Sequence, residues 1–155
     1  MNKKLVISFL CTLIIILAVY LYLSPQNINK SYNAFIFSKN TDFTIKSVIK
    51  LNGTQHKRIL STNIINATIT VDDYSYAIIF KQNHSGNYLG YIPENSKLLE
   101  SSNIIGSIKL SHDLKQVWIN SDDLNNKYKD IYYSTAPANN LSEAESIYKK
   151  LVISN

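Results

Sequence analysis

The sequence contains few of the residues that build redox, phosphate-binding and metal-binding motifs. Among 155 residues there are one cysteine, four glycines and three histidines. A single cysteine excludes an intrachain disulfide and any Cys-x-x-Cys pair, so the fold must be stabilised by packing. The four glycines form none of the glycine-rich loops that hold nucleotide phosphates.

Catalytic motifs are absent as well. No Gly-x-Ser-x-Gly or His-Glu-x-x-His sequence occurs, and His56, His84 and His112 lie far apart, with only Asp113 beside His112. We therefore predict a protein that is not an enzyme and that has neither cofactor nor metal. The alternative is an enzyme acting on cell-wall or lipid substrates, whose site is assembled only in the fold.

Oxygen ligands are densest in one short stretch near the carboxyl terminus. Asp122, Asp123, Asn125 and Asp130 follow one another there, but the glycine and the terminal glutamate of a calcium-binding loop are missing. We interpret this stretch as a solvated turn.

Charge is missing from one long segment near the amino terminus. Leu5 to Leu23 is a run of nineteen residues without a charged side chain. As a helix it would rise about 28 Å, close to the about 30 Å hydrocarbon thickness of a bilayer. Lys3 and Lys4 precede it, and positive residues beside a span stay on the cytoplasmic side. The sequence predicts a single-pass anchor at the cell membrane, with a cytoplasmic amino terminus and an extracellular carboxyl-terminal domain.

A cleaved signal peptide, which would release a secreted domain, is the competing interpretation of this run. Signal peptides have an apolar region of about 7 to 15 residues followed by a small-x-small site. Bulky residues occupy most positions before Ser24, so we favour an uncleaved anchor. Contact with membrane lipid is predicted through residues 5–23, including Leu5, Leu10, Ile15, Leu17 and Leu23, with Tyr20 and Tyr22 at the outer interface.

The rest of the chain is only mildly basic. The formal net charge of the whole sequence is +5, and no basic run is long enough to indicate nucleic-acid binding, so no nucleic-acid partner is predicted. Lysine, isoleucine, asparagine and tyrosine are abundant, which is typical of AT-rich genomes and favours a low-GC Gram-positive source. We predict a linker over residues 24–33 and one domain over residues 34–155.

The domain is rich in strand signals, and one hairpin is specified in detail. Ile64 to Val71 and Tyr74 to Lys81 alternate in polarity around a two-residue turn at Asp72 and Asp73. This register places Val71 opposite Tyr74, Ile69 opposite Tyr76, Ala67 opposite Ile78 and Ile65 opposite Phe80. All eight side chains would then share one buried face.

Further strands are expected on both sides of this hairpin. They are predicted at Ala34 to Ser38, Phe43 to Leu51, Arg58 to Ser61, Tyr88 to Ile92, Ile104 to Leu110, Val117 to Asn120 and Ile131 to Ser134. Gly53 is interpreted as one hairpin turn, and Gly86 with Asn87 as another.

The sequence closes with an amphipathic helix, predicted over residues 143–153. Ser142 and Glu145 have capping-box spacing, and Ala144, Ile147, Tyr148, Leu151 and Val152 form one apolar stripe. The predicted fold class is therefore α+β: a transmembrane helix followed by a mainly antiparallel sheet, on which this helix packs.

These features favour a noncatalytic binding or accessory module of the cell envelope. Tyr88 and Tyr91, in the aromatic and polar segment from Asn83 to Asn95, are candidate contact residues for a partner. The partner would be an envelope protein or a cell-wall component.

Overall fold

Eight antiparallel strands form a closed barrel in which each strand pairs with the next and the last pairs with the first. The computed structural model describes residues 3–38, 40, 43–94 and 103–153, without the side chains of Lys3, Leu5 and Val6. The strands are β1 (Gln26–Ser38), β2 (Thr44–His56), β3 (Ile64–Val71), β4 (Tyr74–Gln82), β5 (Tyr88–Pro93), β6 (Ile104–Leu110), β7 (Val117–Ser121) and β8 (Tyr132–Ala136). The helices are α1 (Lys3–Leu23), α2 (Asp122–Tyr128) and α3 (Leu141–Tyr148), which continues into a π-helical turn (Lys149–Ile153).

The barrel interior is filled by aliphatic and aromatic side chains. Because successive residues of a strand point to opposite faces, every second residue faces the interior. The side chains there that are almost completely excluded from solvent include Ile36, Ile49, Leu51, Ile65, Ile69, Phe80, Ile108, Leu110 and Ile119. An eight-stranded barrel is just wide enough for side chains to fill it, and this one is packed in that way.

A second apolar cluster lies outside the barrel wall, beneath the carboxyl-terminal helix. Phe35, Phe37 and Trp118 point outwards from β1 and β7, and Ala144 and Ile147 of α3 cover them together with Leu151 and Ala138. A helix of this length is marginal alone, so this contact stabilises it.

The detailed hairpin prediction is confirmed. β3 and β4 pair through Val71↔Tyr74, Ile69↔Tyr76, Ala67↔Ile78 and Ile65↔Phe80, and all eight residues belong to the interior cluster or pack against it. Asp72 occupies the turn with a φ of 55°, a left-handed conformation that aspartate tolerates better than most residues.

The predicted α+β fold class is wrong, because the sheet closes on itself. Closure depends on four pairs between β1 and β8, from Phe35↔Thr135 to Ser38↔Tyr132. These residues are far apart in the sequence, and no local pattern specifies their pairing. The helix α2, whose residues were interpreted as a turn, is a further difference from the predicted fold.

The prediction of a single-pass membrane anchor is overturned. Among the residues that the structure describes, no helix combines the length and apolarity needed to cross a membrane. The predicted cell-membrane localisation and orientation rested on this anchor and are corrected with it.

Three local predictions also differ from the structure. Gly53 lies within β2 rather than in a turn, paired with Ile28 on one side and Ala67 on the other. The predicted strand from Arg58 to Ser61 is part of the β2–β3 loop, and β1 already begins at Gln26, inside the stretch predicted as a linker.

The two ends of the barrel differ in charge. We call the end with the β2–β3, β4–β5 and β6–β7 loops the basic end; its described side chains include Lys57, Arg58 and Lys115, with Asp113 opposing them. The opposite end, which we call the acidic end, carries Asp72, Asp73, Glu94, Asp122, Asp123 and Asp130 among its described residues, with Lys127 and Lys129.

Candidate functional site

The barrel interior contains tyrosines, and the hydroxyl groups of Tyr32 and Tyr88 are already bonded within the protein. Tyr32 donates to the backbone oxygen of Leu114 at 2.7 Å, and Tyr88 accepts a hydrogen bond from Gln55 Nε2 at 2.6 Å. Burial raises the pKa of Tyr32 to about 12 and also raises the pKa of Tyr88. Both side chains therefore stay protonated at neutral pH and serve as parts of the core.

Few backbone pairs join β4 to β5, and we call the junction between these two strands the seam. Only two registered pairs join these strands, Lys81↔Leu89 and Gln82↔Tyr88, whereas eight join β3 to β4. Beyond Leu89 the strands are held by packing on the inner side: a Cβ on Gly90 would lie 2.5 Å from Ile78 Cγ2 and 2.8 Å from Phe80 Cδ1. Glycine at this position therefore allows the two strands to approach without a continuous ladder.

Apolar side chains are exposed on the outer side of this seam. Ile79 of β4 is 43% exposed, Tyr91 of β5 is 54% exposed and Ile104 of β6 is 62% exposed. Continuing the β4–β5 register would place Ile79 opposite Tyr91, and Ile104 pairs with Pro93 on the next strand. We call Ile79, Tyr91, Pro93 and Ile104 the seam surface.

The two tyrosines predicted as partner contacts lie on opposite faces of β5. Tyr88 points into the barrel and is only 1% exposed, while Tyr91 points outwards on the seam surface. Of this pair, Tyr91 alone is available to a partner. The end of the predicted contact segment, Asn95, lies outside the described residues.

The residues predicted to contact lipid are also exposed where the structure describes them. Leu10, Ile15, Leu17, Tyr20, Tyr22 and Leu23 of α1 all present accessible side chains, and the side chain of Leu5 lies outside the described part. The end of α1 adjoins the basic end of the barrel, where Lys57 Nζ is 5.3 Å from the centroid of the Tyr22 ring.

The structure does not bring His112 and Asp113 together as a catalytic dyad. His112 Nδ1 lies 3.2 Å from Gln82 Nε2 and 3.3 Å from the backbone oxygen of Gly86. Asp113 instead accepts hydrogen bonds from Ser111 Oγ at 2.7 Å and from the backbone of Lys115, which lower its pKa. Both side chains therefore fix the turns of the basic end.

The acidic stretch near α2 is likewise used to fix the backbone. Asn125 Oδ1 accepts the backbone N–H of Tyr132 at 2.8 Å, and Asp130 accepts the hydroxyl of Ser38, which lowers the pKa of Asp130. Asp122 and Asp123 occupy the first turn of α2, where carboxylates are favoured by the helix dipole. Within the described part of the chain, no group of three His, Cys, Asp or Glu side chains is arranged to hold a metal ion.

A shallow groove of about 380 Å³ lies on the outer surface, where β1 and β2 meet the segment after β8. Its lining consists of Asn33, Ala34, Lys46, Ser47, Val48, Ala138 and Asn139. Amide, hydroxyl and ammonium groups supply its polarity, and none of these seven residues is a histidine or a carboxylic acid. The lining thus offers hydrogen-bonding groups without a general acid–base pair.

Ile79 and Ile104 were not identified as candidate residues from the sequence. The confirmed β3–β4 register contains the necessary signal for Ile79, because placing Ile78 and Phe80 inside forces Ile79 outside. The position of Ile104 depends on the irregular register after Ile92, which no sequence pattern indicates.

Comparison with known proteins does not assign this chain to a group. No protein-family model, no curated protein and no solved structure matches it. Any function must therefore be argued from its own residues.

Proposed function

We propose that the protein is a noncatalytic protein-binding module, whose seam surface accepts an extended apolar segment of a protein partner. The proposal rests on one observation. Ile79, Tyr91 and Ile104 are exposed close to the seam, where the registered pairing of β4 with β5 ends. Exposed apolar side chains that cluster are typical of interaction sites, and an aromatic residue at the centre is a common anchor.

The partner is an extended segment because the seam surface runs across neighbouring strands of the barrel wall. Ile79 and Tyr91 are exposed on the outer faces of β4 and β5. In an extended chain every second side chain points to the same side, so such a chain can place alternate side chains on this surface. Ile79 on β4 and Tyr91 on β5 would receive those alternate side chains.

Charge at the two ends of the seam gives such a segment a direction. Lys81 is exposed at one end of the seam surface, and Glu94 follows Pro93 at the other. A segment with an acidic residue near Lys81 and a basic residue near Glu94 would match both. Electrostatic complementarity of this kind selects orientation more than it adds affinity.

Two features of the structure support a role without catalysis. The interior is filled by buried aliphatic side chains, so the site at which many barrels hold a small ligand is occupied by the core. His112 contacts Gln82 and Gly86 at the β4–β5 turn, whereas Asp113 is bonded within its own β6–β7 loop, and the lining of the surface groove contains no acid–base pair.

The proposal is tested by site-specific photocrosslinking in cells that produce the full chain. A photoreactive phenylalanine analogue replaces Tyr91, and the same analogue at Thr68, which is exposed on the outer face of β3, serves as the matched control. We expect a protein adduct at position 91 whose crosslinked peptide, identified by mass spectrometry, alternates apolar and polar residues. Position 68 should give no such adduct.

Substitutions then distinguish specific binding at the seam surface from nonspecific crosslinking. For this comparison the photoreactive analogue replaces Pro93. Ile79→Lys and Tyr91→Lys should then each lower the adduct yield about tenfold, because each removes an apolar contact and introduces a charge into the interface. Thr68→Lys should leave yield unchanged, and thermal melting checks that all variants fold. An adduct formed with another copy of this chain, or equal yields from all variants, would contradict the proposal.

A further inference from the structure

The β2–β3 loop projects two apolar side chains from the basic end of the barrel. Ile59 is 61% exposed and Leu60 is 98% exposed. The base of the loop is fixed: the backbone N–H of Arg58 donates to Asn63 Oδ1 at 2.8 Å, and Asn63 Nδ2 donates to Gln82 Oε1 at 2.8 Å. Ile59 and Leu60 thus form the tip of a loop with an anchored base.

Two cations adjoin this apolar tip. Lys57 and Arg58 immediately precede Ile59 in the same loop, and Lys115 lies in another loop of the basic end. Most described acidic side chains at the barrel ends are at the acidic end instead, including the pair Asp72 and Asp73. This charge separation would turn the β2–β3 loop towards an anionic surface.

The shape of the tip favours a lipid surface over a protein groove as the occupant. A side chain that is 98% exposed protrudes and lines no concave pocket of its own. Apolar side chains flanked by Lys and Arg are suited to the bilayer interface, where the apolar part enters the acyl boundary and the cations meet anionic headgroups. The contact of Lys57 with Tyr22 places the end of the apolar helix α1 beside the same loop.

We infer that residues 57–60 form a peripheral docking site for an anionic lipid surface, with Ile59 and Leu60 inserting into the interface while Lys57 and Arg58 bind the headgroups. This contact is separate from the seam surface, which lies on the side of the barrel. A module with both sites would present the seam surface to its partner while the basic end faces the lipid.

The deciding experiment reports on the loop itself, because the apolar helix α1 belongs to the same chain. Because the chain already contains Trp118, both tryptophan variants of this test also carry Trp118→Phe. Leu60→Trp in the full chain is mixed with vesicles of phosphatidylcholine and phosphatidylglycerol whose acyl chains carry bromine, which quenches nearby tryptophan. We expect quenching at position 60 that weakens as salt is added. Ile131→Trp, an exposed position at the acidic end, is the matched control and should not be quenched.

Variants test the two components of the site. Lys57→Glu with Arg58→Glu should weaken loop binding about 25-fold or more, since each cation near an anionic surface contributes about fivefold. Ile59→Ser in the Leu60→Trp chain should weaken it about tenfold. Lys46→Glu with Lys50→Glu, which changes the net charge equally on the barrel side, is the control and should have a much smaller effect.

Several outcomes would overturn the inference. They are equal quenching on pure phosphatidylcholine vesicles, no quenching at position 60, and equal losses from the two double charge reversals. Tight binding of an acidic peptide at the loop, with no response to vesicles, would assign it to a protein partner instead. None of these results depends on the seam surface, so failure here leaves the crosslinking test at Tyr91 unaffected.

Discussion

Lys127 Nζ lies 2.6 Å from Asp72 Oδ2 and joins α2 to the β3–β4 turn, 55 residues away in the sequence. The same Asp72 oxygen accepts the hydroxyl of Tyr128 at 2.8 Å, and Lys127 also reaches Asp73 at 2.7 Å. The hydrogen bond from Lys127 is the largest cause of a lowered pKa at Asp72, and the bond to Asp72 is the largest cause of a raised pKa at Lys127. This contact fixes the acidic end of the barrel.

Asp72→Asn should lower the free energy of unfolding at neutral pH by about 0.2 to 1 kcal/mol, the range for exposed ion pairs. Asparagine keeps the left-handed conformation that Asp72 adopts and retains an acceptor oxygen, so the substitution removes mainly the charge. Urea unfolding measures the difference. Glu145→Gln, an exposed carboxylate outside this contact and beyond the first turn of α3, is the comparison and should change stability less.

The effect of Asp72→Asn should depend on pH in one direction. A carboxyl group whose pKa is lowered by folding stabilises the protein fully above its unfolded pKa of about 3.9, and this stabilisation is lost as pH falls through the folded pKa. The stability curves of wild type and variant should therefore begin to converge as pH falls below about 4 and should meet below the lowered folded pKa of Asp72. Curves that stay parallel throughout the acid range would rule out the ion pair as the cause.

Asn140→Ala should destabilise α3 by about 1 kcal/mol, the usual cost of removing an N-cap side chain. Asn140 Oδ1 accepts the backbone N–H of Glu143 at 2.9 Å, and Glu143 Oε2 accepts the backbone N–H of Asn139 at 2.9 Å. Ser142→Ala, at the cap position expected from the sequence, is the control and should have little effect. Hydrogen exchange of the backbone amides in the first turn of α3 should be faster in Asn140→Ala than in Ser142→Ala. Equally fast exchange in both variants would argue against an Asn140 cap.

Gly90→Ala should destabilise the barrel by about 1 to 3 kcal/mol through overpacking against Ile78 and Phe80. Adding Ile78→Ala makes room for the new methyl group, so the double variant should lose less stability than the sum of the two single changes. Gly53→Ala should be worse, because its Cβ would meet the backbone oxygen of Asn66, which cannot move aside. Chemical denaturation of the four variants tests this order, and strict additivity at the seam would refute the contact.

Ile147→Ala should loosen the carboxyl-terminal helix and shift the emission of Trp118 to longer wavelength. Trp118 is the single tryptophan and lies in the cluster beneath α3, so its emission reports whether this helix is docked. A buried isoleucine replaced by alanine costs about 2 to 5 kcal/mol. Ile153→Ala, at an exposed position of the π-helical turn, should leave the spectrum unchanged. An unshifted spectrum for both variants would mean that Ile147 does not hold the helix over Trp118.

Local pattern explains which elements were predictable. The β3–β4 hairpin follows from alternation on both sides of a two-residue turn, and the turn at Gly86, with its φ of 85°, follows from the conformational freedom of glycine. Position 53 requires glycine for a different reason. It lies inside β2, where neighbouring β3 leaves no room for a side chain. Residue type alone does not distinguish these two uses of glycine.

Two exposed apolar segments were also misinterpreted from local sequence pattern. Ile59 and Leu60 match a strand by propensity, which led to a predicted strand from Arg58 to Ser61, yet no neighbouring strand pairs with them among the described residues. The run from Leu5 to Leu23 forms a helix as its composition indicates, but the membrane span inferred from that composition is contradicted. Propensity and hydropathy describe a segment, whereas pairing and burial depend on its neighbours.

The sequence by itself determined the strand-rich composition, the β3–β4 register and the presence of a carboxyl-terminal helix, because each depends on residues close together in the chain. Only the tertiary structure decided that β1 pairs with β8, that the ladder stops between β4 and β5, and that Tyr88 and Tyr91 face opposite sides of the wall. These outcomes depend on the closure of the barrel, which joins distant segments through backbone hydrogen bonds and interior packing that no short stretch of sequence encodes.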